Sequence, residues 1–276
     1  MCLILFALDQ HPDFPLVMAA NRDEFYRRPT AAMKWWDKPE VLAGQDLESG
    51  GTWLSVTPSG MVTAVTNVRE GSGETGRHSR GELPLMAQDM PPAAMHSYLA
   101  DNSQLYAGFN LIRLMPGAGS SSGWYYSNRD AHPGRRLFRG CYGLSNHLLQ
   151  SPWPKLVRLR EQLKLTLAQH AAEQTNALHS QLLNLLQDNT PAPDHLLPDT
   201  GIDKAFERFL SSPFITSDYY GTRASTIVTV SRTGVVEVTE QTWEPEGVAG
   251  PRTRFCWQAT EATAKSGNLF AAGTIR

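Results

Sequence analysis

Cys2 is the residue in this sequence best placed to do covalent chemistry. Removal of the initiator Met before so small a second residue would leave Cys2 with a free α-amine beside its own thiol. An amine with an ordinary pKa of about 8 can accept the proton of a thiol at about 8.5, so one residue would hold both nucleophile and base. The competing reading makes Cys2 a small apolar residue at the start of a strand, inert because it is buried.

Four polar residues, Asn21-Arg22-Asp23-Glu24, end the second apolar run of the chain. If the two runs form a hairpin, this group lies next to Cys2. An acid there can orient the amine, and an arginine can lower the thiol pKa or bind a carboxylate; a salt-bridged turn is the plainer alternative. Asn67 and Asn146 each follow a Ser or Thr after an apolar segment. Their amides suit an oxyanion, and either also suits a turn. His147, beside Asn146, is the histidine that could join them. The eight histidines contain no HExxH or other tight metal spacing, so no metal site is expected. Residues 71–76 spell GxGxxG, but Gly81 and Pro84 argue against the immediate helix that a dinucleotide fingerprint needs, and Arg77-His78 stands where a P-loop has Lys-Ser/Thr.

The elements that must carry these residues come next. Leu3 to Leu8 and Leu16 to Ala20 read as a buried hairpin across a Pro-containing turn. Thr52 to Val56 and Met61 to Val68 flank Pro58-Ser59-Gly60, and Tyr106 to Met115 pairs with Trp124 to Ser127 across a Gly/Ser linker. Ala224 to Ser231 and Val235 to Thr242 flank Arg232-Thr233-Gly234 as a further hairpin. Helical spacing is concentrated in the middle, in Leu156, Leu159, Leu163 and Leu167 and then in Leu178, Leu182, Leu185 and Leu186. A loop from Asn189 leads to a short helix opened by the cap of Asp203. Strands, then helices, then strands suggest two packed antiparallel sheets covered by helices, an α+β arrangement.

Hydrophobic residues make up 41% of the 276 and charged residues 19%, the balance of a globular chain that can bury a sizeable core. One domain over residues 1–258 and a tail over 259–276 are expected. A formal charge of −2 without a basic block points to no nucleic acid partner. Cys2, Cys141 and Cys256 are too scattered for a disulfide framework or a metal clip, and free thiols fit a reducing cytoplasm. No Lys or Arg precedes Arg22, and Asp9 to Asp13 interrupts the apolar stretch, so no secretory signal is expected. No apolar run approaches the length of a membrane span. Oligomeric state stays open.

Several motifs together carry a resemblance. Met-Cys at the start, Ala-Asn-Arg-Asp-Glu-Phe at 20–25, Arg-Pro at 28–29, Gly-Gly-Thr-Trp-Leu at 50–54, Thr-Asn at 66–67, Arg-Gly-Glu-Leu at 80–83, Gly-Leu-Ser-Asn at 143–146, Pro-Trp-Pro-Lys at 152–155 and Tyr-Gly-Thr-Arg at 220–223 resemble the NRDE family. This is the family of transport and Golgi organisation proteins. The resemblance implies a fold similar to the N-terminal-nucleophile hydrolases, a four-layer αββα sandwich. Within that group the chain is most similar to the choloylglycine hydrolase and penicillin acylase branch. On that comparison Cys2 matches the nucleophile, Asp23 the acid that positions its amine, Asn67 and Asn146 oxyanion-side asparagines, and Arg223 a late active-site arginine. Asn21, Arg22, Glu24 and His147 are expected near the ligand. The hydrolases usually place an arginine a few residues before the acid, where this chain has Ala20. The implied activity is hydrolysis of a linear amide in a small acyl substrate, with no cofactor required. Association of the family with haem trafficking and with lipid or acyl-CoA homeostasis implies a rival role as a haem or acyl carrier.

Overall fold

The computed structural model describes residues 2–71, 76–117, 119–170 and 174–260. Its strands are β1 (Cys2–Leu8), β2 (Leu16–Phe25), β3 (Thr30–Asp37), β4 (Glu40–Asp46), β5 (Leu54–Val56), β6 (Val62–Asn67), β7 (Phe109–Met115), β8 (Ser122–Ser127), β9 (Arg135–Leu137), β10 (Gly140–Leu144), β11 (Tyr220–Val230), β12 (Val235–Glu244) and β13 (Val248–Gln258). The α-helices are α1 (Leu83–Asp89), α2 (Pro92–Asn102), α3 (Pro154–Gln169), α4 (Thr175–Leu186) and α5 (Lys204–Phe209).

Two antiparallel sheets result. The first has six strands in the order β10-β1-β2-β11-β12-β13, and the second runs β3 to β9 in chain order with seven. Burial on both faces explains why β1 reads as a continuous apolar run. Cys2, Ile4, Phe6 and Leu8 point between the sheets, while Leu3, Leu5 and Ala7 pack under the leucines of α3 and α4. On the far side, Val65, Leu111, Trp124 and Tyr126 of the second sheet meet Leu83 and Ala87 of α1 and Met95 and Leu99 of α2. Helices therefore flank both sheets, as the strand and helix order suggested. A buried carboxylate also ties the sheets together: Met33 N donates to Glu240 Oε1 at 2.6 Å.

Some expectations need correction. Pro84 does not prevent a helix; it stands in the first turn of α1, where the missing N–H has no partner to lose, and Pro92 opens α2 in the same way. No helix begins directly after the glycine motif, whose residues 72–75 lie outside the described residues. Of the expected tail, 261–276 also lie outside them.

Candidate functional site

The β1–β2 hairpin sets Cys2 directly opposite Arg22, and β11 continues the row with Ala224. β2 runs on past the start of β1 through Asp23, Glu24 and Phe25, pairing there with Thr222, Gly221 and Tyr220 of β11. Beyond the end of β1 the sheets enclose a cavity of about 1270 Å³. Cys2, Arg22, Asp23, Glu24, Asn67 and Arg223 all line it.

Cys2 is nearly covered, with 6% of its surface exposed. Burial pushes its thiol up to about 11, and Asp23 and Glu24 add to the rise while Arg22 opposes it. The sulfur is therefore a neutral thiol at rest near pH 7 and needs a base at the moment of attack. Asp23 is buried, and its Oδ1 accepts from Thr222 Oγ1 at 2.8 Å. Burial raises its pKa, although Lys155, Thr222 and Arg69 pull the other way. Arg22 is held by Asp46 at 3.5 Å and Glu24 at 3.9 Å, and Arg28 binds the same Asp46 at 2.7 Å. Burial raises the Asp46 carboxyl, but the Arg28 hydrogen bond and the Ser49 amide outweigh it and hold the group below the ordinary range.

Asn67 and Asn146 occupy different depths. Asn146 is fully buried and absent from the cavity wall. Its Nδ2 donates to Asn67 Oδ1 at 2.9 Å, and its backbone oxygen accepts from Arg69 N at 2.7 Å. This contact fixes the Asn67 amide with its oxygen turned inward. Among the described residues Asn67 Nδ2 donates to nothing, which leaves it available to the cavity. The expected pair of donors is thus one donor with a second asparagine orienting it.

Arg223 sits at a register shift in β11, where its Nη1 donates to the carbonyls of Phe25 and Arg28 at 3.0 and 3.1 Å. It clamps the turn that forms one rim of the cavity.

Two expected ligand-side residues lie elsewhere. Asn21 alternates with Arg22 and so faces the helices; its Nδ2 caps Leu186 O of α4 at 2.9 Å and also binds Pro213 O at 3.0 Å. His147 is exposed, bonded through Nδ1 to Ser151 Oγ at 2.7 Å, stacked on Trp153, and outside the wall.

Other wall residues escaped the sequence reading as site residues. Arg69, two residues beyond Asn67, is buried against Trp153 and paired with Glu207 at 2.5 Å. Arg80, Tyr220 and Glu240 also line the cavity. Arg80 and Tyr220 fall within quoted motifs, which was the available signal; Arg69 and Glu240 reach the wall through tertiary packing. Behind Arg69, Lys155 is buried with Nζ donating to Leu210 O at 2.8 Å, and burial drives its amine down to about 7. Among the described residues no group of His, Cys, Asp and Glu could hold a metal ion, and no helix is long and apolar enough to cross a membrane.

The family model described as Transport and Golgi organisation 2 matches residues 1–245. The chain belongs to that family. It is 33% identical to the mouse Transport and Golgi organization 2 homolog over 258 residues, covering 87% of this chain and 92% of the mouse protein. The Bos taurus homolog is 36% identical over 262 residues with the same coverage, and the Drosophila melanogaster protein is 28% identical over 260 residues, 88% of this chain and 92% of its own length. The family match spans β1 through β12, and of the strands that wall the cavity it leaves out only β13, which contributes Pro251.

Proposed function

We propose that this Transport and Golgi organisation 2 family member is a cytoplasmic cysteine hydrolase of a linear amide C–N bond in a small acyl substrate, built like an N-terminal-nucleophile hydrolase. The reading rests on one observation: Cys2, Asp23 and Asn67, from separate segments of the chain, line a single cavity. With Met1 removed, the Cys2 amine takes the thiol proton as sulfur attacks the amide carbon. The carbonyl oxygen becomes an oxyanion facing Asn67 Nδ2. Collapse breaks the C–N bond, and the proton held by the amine passes to the leaving nitrogen. Water then cleaves the thioester, returning the acid and the free thiol. Asp23 orients the amine, while Arg22 and Arg223 face the substrate. Mass spectrometry of the purified protein tests this: Met1 is absent and a cysteine-directed acylating probe labels Cys2. Retention of Met1 would rule the chemistry out.

The size and rim of the cavity favour a second reading, a carrier of haem or of an acyl ligand. A volume of about 1270 Å³ exceeds the needs of a small amide, and Phe25, Ile202, Phe206 and Leu210 contribute apolar surface beside the arginines. Cys2, His78 and Tyr220 are wall residues of types able to donate to haem iron, but the thiol is protonated, burial keeps the Tyr220 phenol protonated too, and His78 Nδ1 is engaged with Glu82 at 3.1 Å. Haem titration followed by absorbance separates the readings: unchanged binding by a Cys2→Ala variant favours the carrier, and no binding by the intact protein removes haem from consideration.

A further inference from the structure

Glu240 enters the cavity wall from β12 with only 2% of its surface exposed. A carboxyl so far removed from water is costly unless both oxygens find partners. One of them does. β3 shifts register between Ala31 and Lys34, which leaves Met33 outside the pairing with β4, and its N–H donates to Glu240 Oε1 at 2.6 Å. Among the described residues Oε2 accepts no hydrogen bond, and no Lys, Arg or His lies within salt-bridge distance of it. Thr226, directly opposite on β11, is fully buried and its hydroxyl makes no hydrogen bond, so the neighbouring strand does not supply the missing donor. Burial raises the Glu240 pKa, while the Met33 amide and Arg22 pull it back.

The space in front of Oε2 is kept by Gly44. A Cβ there would lie 3.9 Å from Oε2 and 3.2 Å from Ala31 O, so any side chain in place of Gly44 would cover the oxygen. Ala31, Ala32 and Ala224 add small side chains to the same wall, which suits a slim chain better than a bulky group. The strand registers set this spot well away from the thiol. Cys2, Arg22, Ala224 and Thr242 form one row across β1, β2, β11 and β12, three strand spacings or about 14 Å in all, and Glu240 follows two residues from Thr242 on the same face.

We propose that Glu240 determines specificity: its open oxygen receives a hydrogen-bond donor, a hydroxyl or an amide N–H, at the far end of a slim, extended amide whose carbonyl lies at Cys2. This rests on the reading of the cavity as the substrate site of a hydrolase. Cys2 and Asn67 then engage the bond to be broken, and Glu240 reads the other end of the molecule. An analogue that lacks the donor is rejected because it leaves a buried oxygen unpaired.

Calorimetric titration of a Cys2→Ala protein, which cannot turn its ligand over, tests this with ω-hydroxydodecanamide and its methyl ether, two amides that differ in whether the far end can donate. The hydroxyl compound binds about tenfold more tightly. Adding Glu240→Gln keeps an oxygen for Met33 N but turns an amide N–H toward the cavity, so the preference reverses in favour of the ether. Adding Gly44→Ala instead covers the oxygen and brings the two affinities together, and it carries the test should Glu240→Gln not fold. Equal affinities in the Cys2→Ala protein, no binding of either amide, or a hydroxyl preference that survives Glu240→Gln or Gly44→Ala overturns the proposal. Hydrolysis by the unmutated protein is read separately, as ammonia released when water takes the place of the amide nitrogen. A hydroxyl preference without ammonia release would defeat the hydrolase reading and leave this one standing, and equal release from both amides at equal affinity would do the opposite.

Discussion

Asn67 and Asn146 differ in what their amides touch, and this separates two roles that look alike in the sequence. Asn67 Nδ2 is free among the described residues, whereas Asn146 Nδ2 is consumed by Asn67 Oδ1 at 2.9 Å. Under the hydrolase reading, Asn67→Asp removes the oxyanion donor but keeps an oxygen for Asn146 Nδ2, so it slows acylation of Cys2 by about 10²-fold or more with little change in the thermal midpoint. Asn146→Ala strips a buried polar contact and costs about 1–3 kcal/mol of stability besides slowing acylation. Acylation rates and thermal melts on both variants check this; equal stability losses would contradict the division. The types of these residues were legible from their Ser/Thr-Asn steps, but their depth was not, because depth depends on which chain passes behind. Asn21 was misplaced for a different reason: the strand continues through the polar cluster, so its neighbours alternate between the cavity and the helices.

The hairpins of β1–β2 and β11–β12 and the leucine stripes of α3 and α4 were readable because each buries a regular pattern. Leu156, Leu159, Leu163 and Leu167 all pack in the cluster beneath the first sheet. Elements that broke such a pattern were not read. α1 and α2 begin with prolines that act as breakers only inside a helix, and β10 carries two glycines in five residues. β13 alternates Thr253, Phe255 and Trp257 with the more exposed Arg252, Arg254 and Cys256, an alternation that Gly250-Pro251 interrupts near its start. The packing of α3 is directly testable. Leu163 is fully buried, so Leu163→Ala leaves a void and lowers unfolding free energy by about 2–5 kcal/mol in a denaturant titration. Asp203→Ala, which removes the cap accepting from Ala205 N at 2.8 Å, costs only about 1 kcal/mol. A reversed order of these losses would mean that α5 holds the fold more firmly than α3 does.

The cavity joins parts distant in the chain, and its charges couple folding to pH. Lys155 in the first turn of α3 lies among Asp23 at the end of β2, Arg69 beyond β6 and Glu207 in α5, all contributing to its electrostatics. Burial brings its amine down to about 7 from the ordinary 10.5, so between these values the unfolded chain binds a proton that the folded protein mostly does not. Stability must therefore rise with pH across that interval, having been lowest below 7, where folding forces a buried charge. Asp23 acts in the opposite sense from the ordinary carboxylate range upward, because burial raises its pKa, and Cys2 does so from its ordinary 9 to about 11. Comparison with a variant lacking the amine, made from pH 7 to 9, isolates the lysine from both. There the Lys155 contribution amounts to about 2 kcal/mol, since one pKa unit is worth about 1.4 kcal/mol. Lys155→Met deletes that contribution, so the unfolding free energy of the variant climbs less steeply over this range than that of the unmutated protein. Parallel curves from urea titrations at pH 7, 8 and 9 would show that Lys155 stays charged in the folded state, with Asp23 and Glu207 compensating its burial.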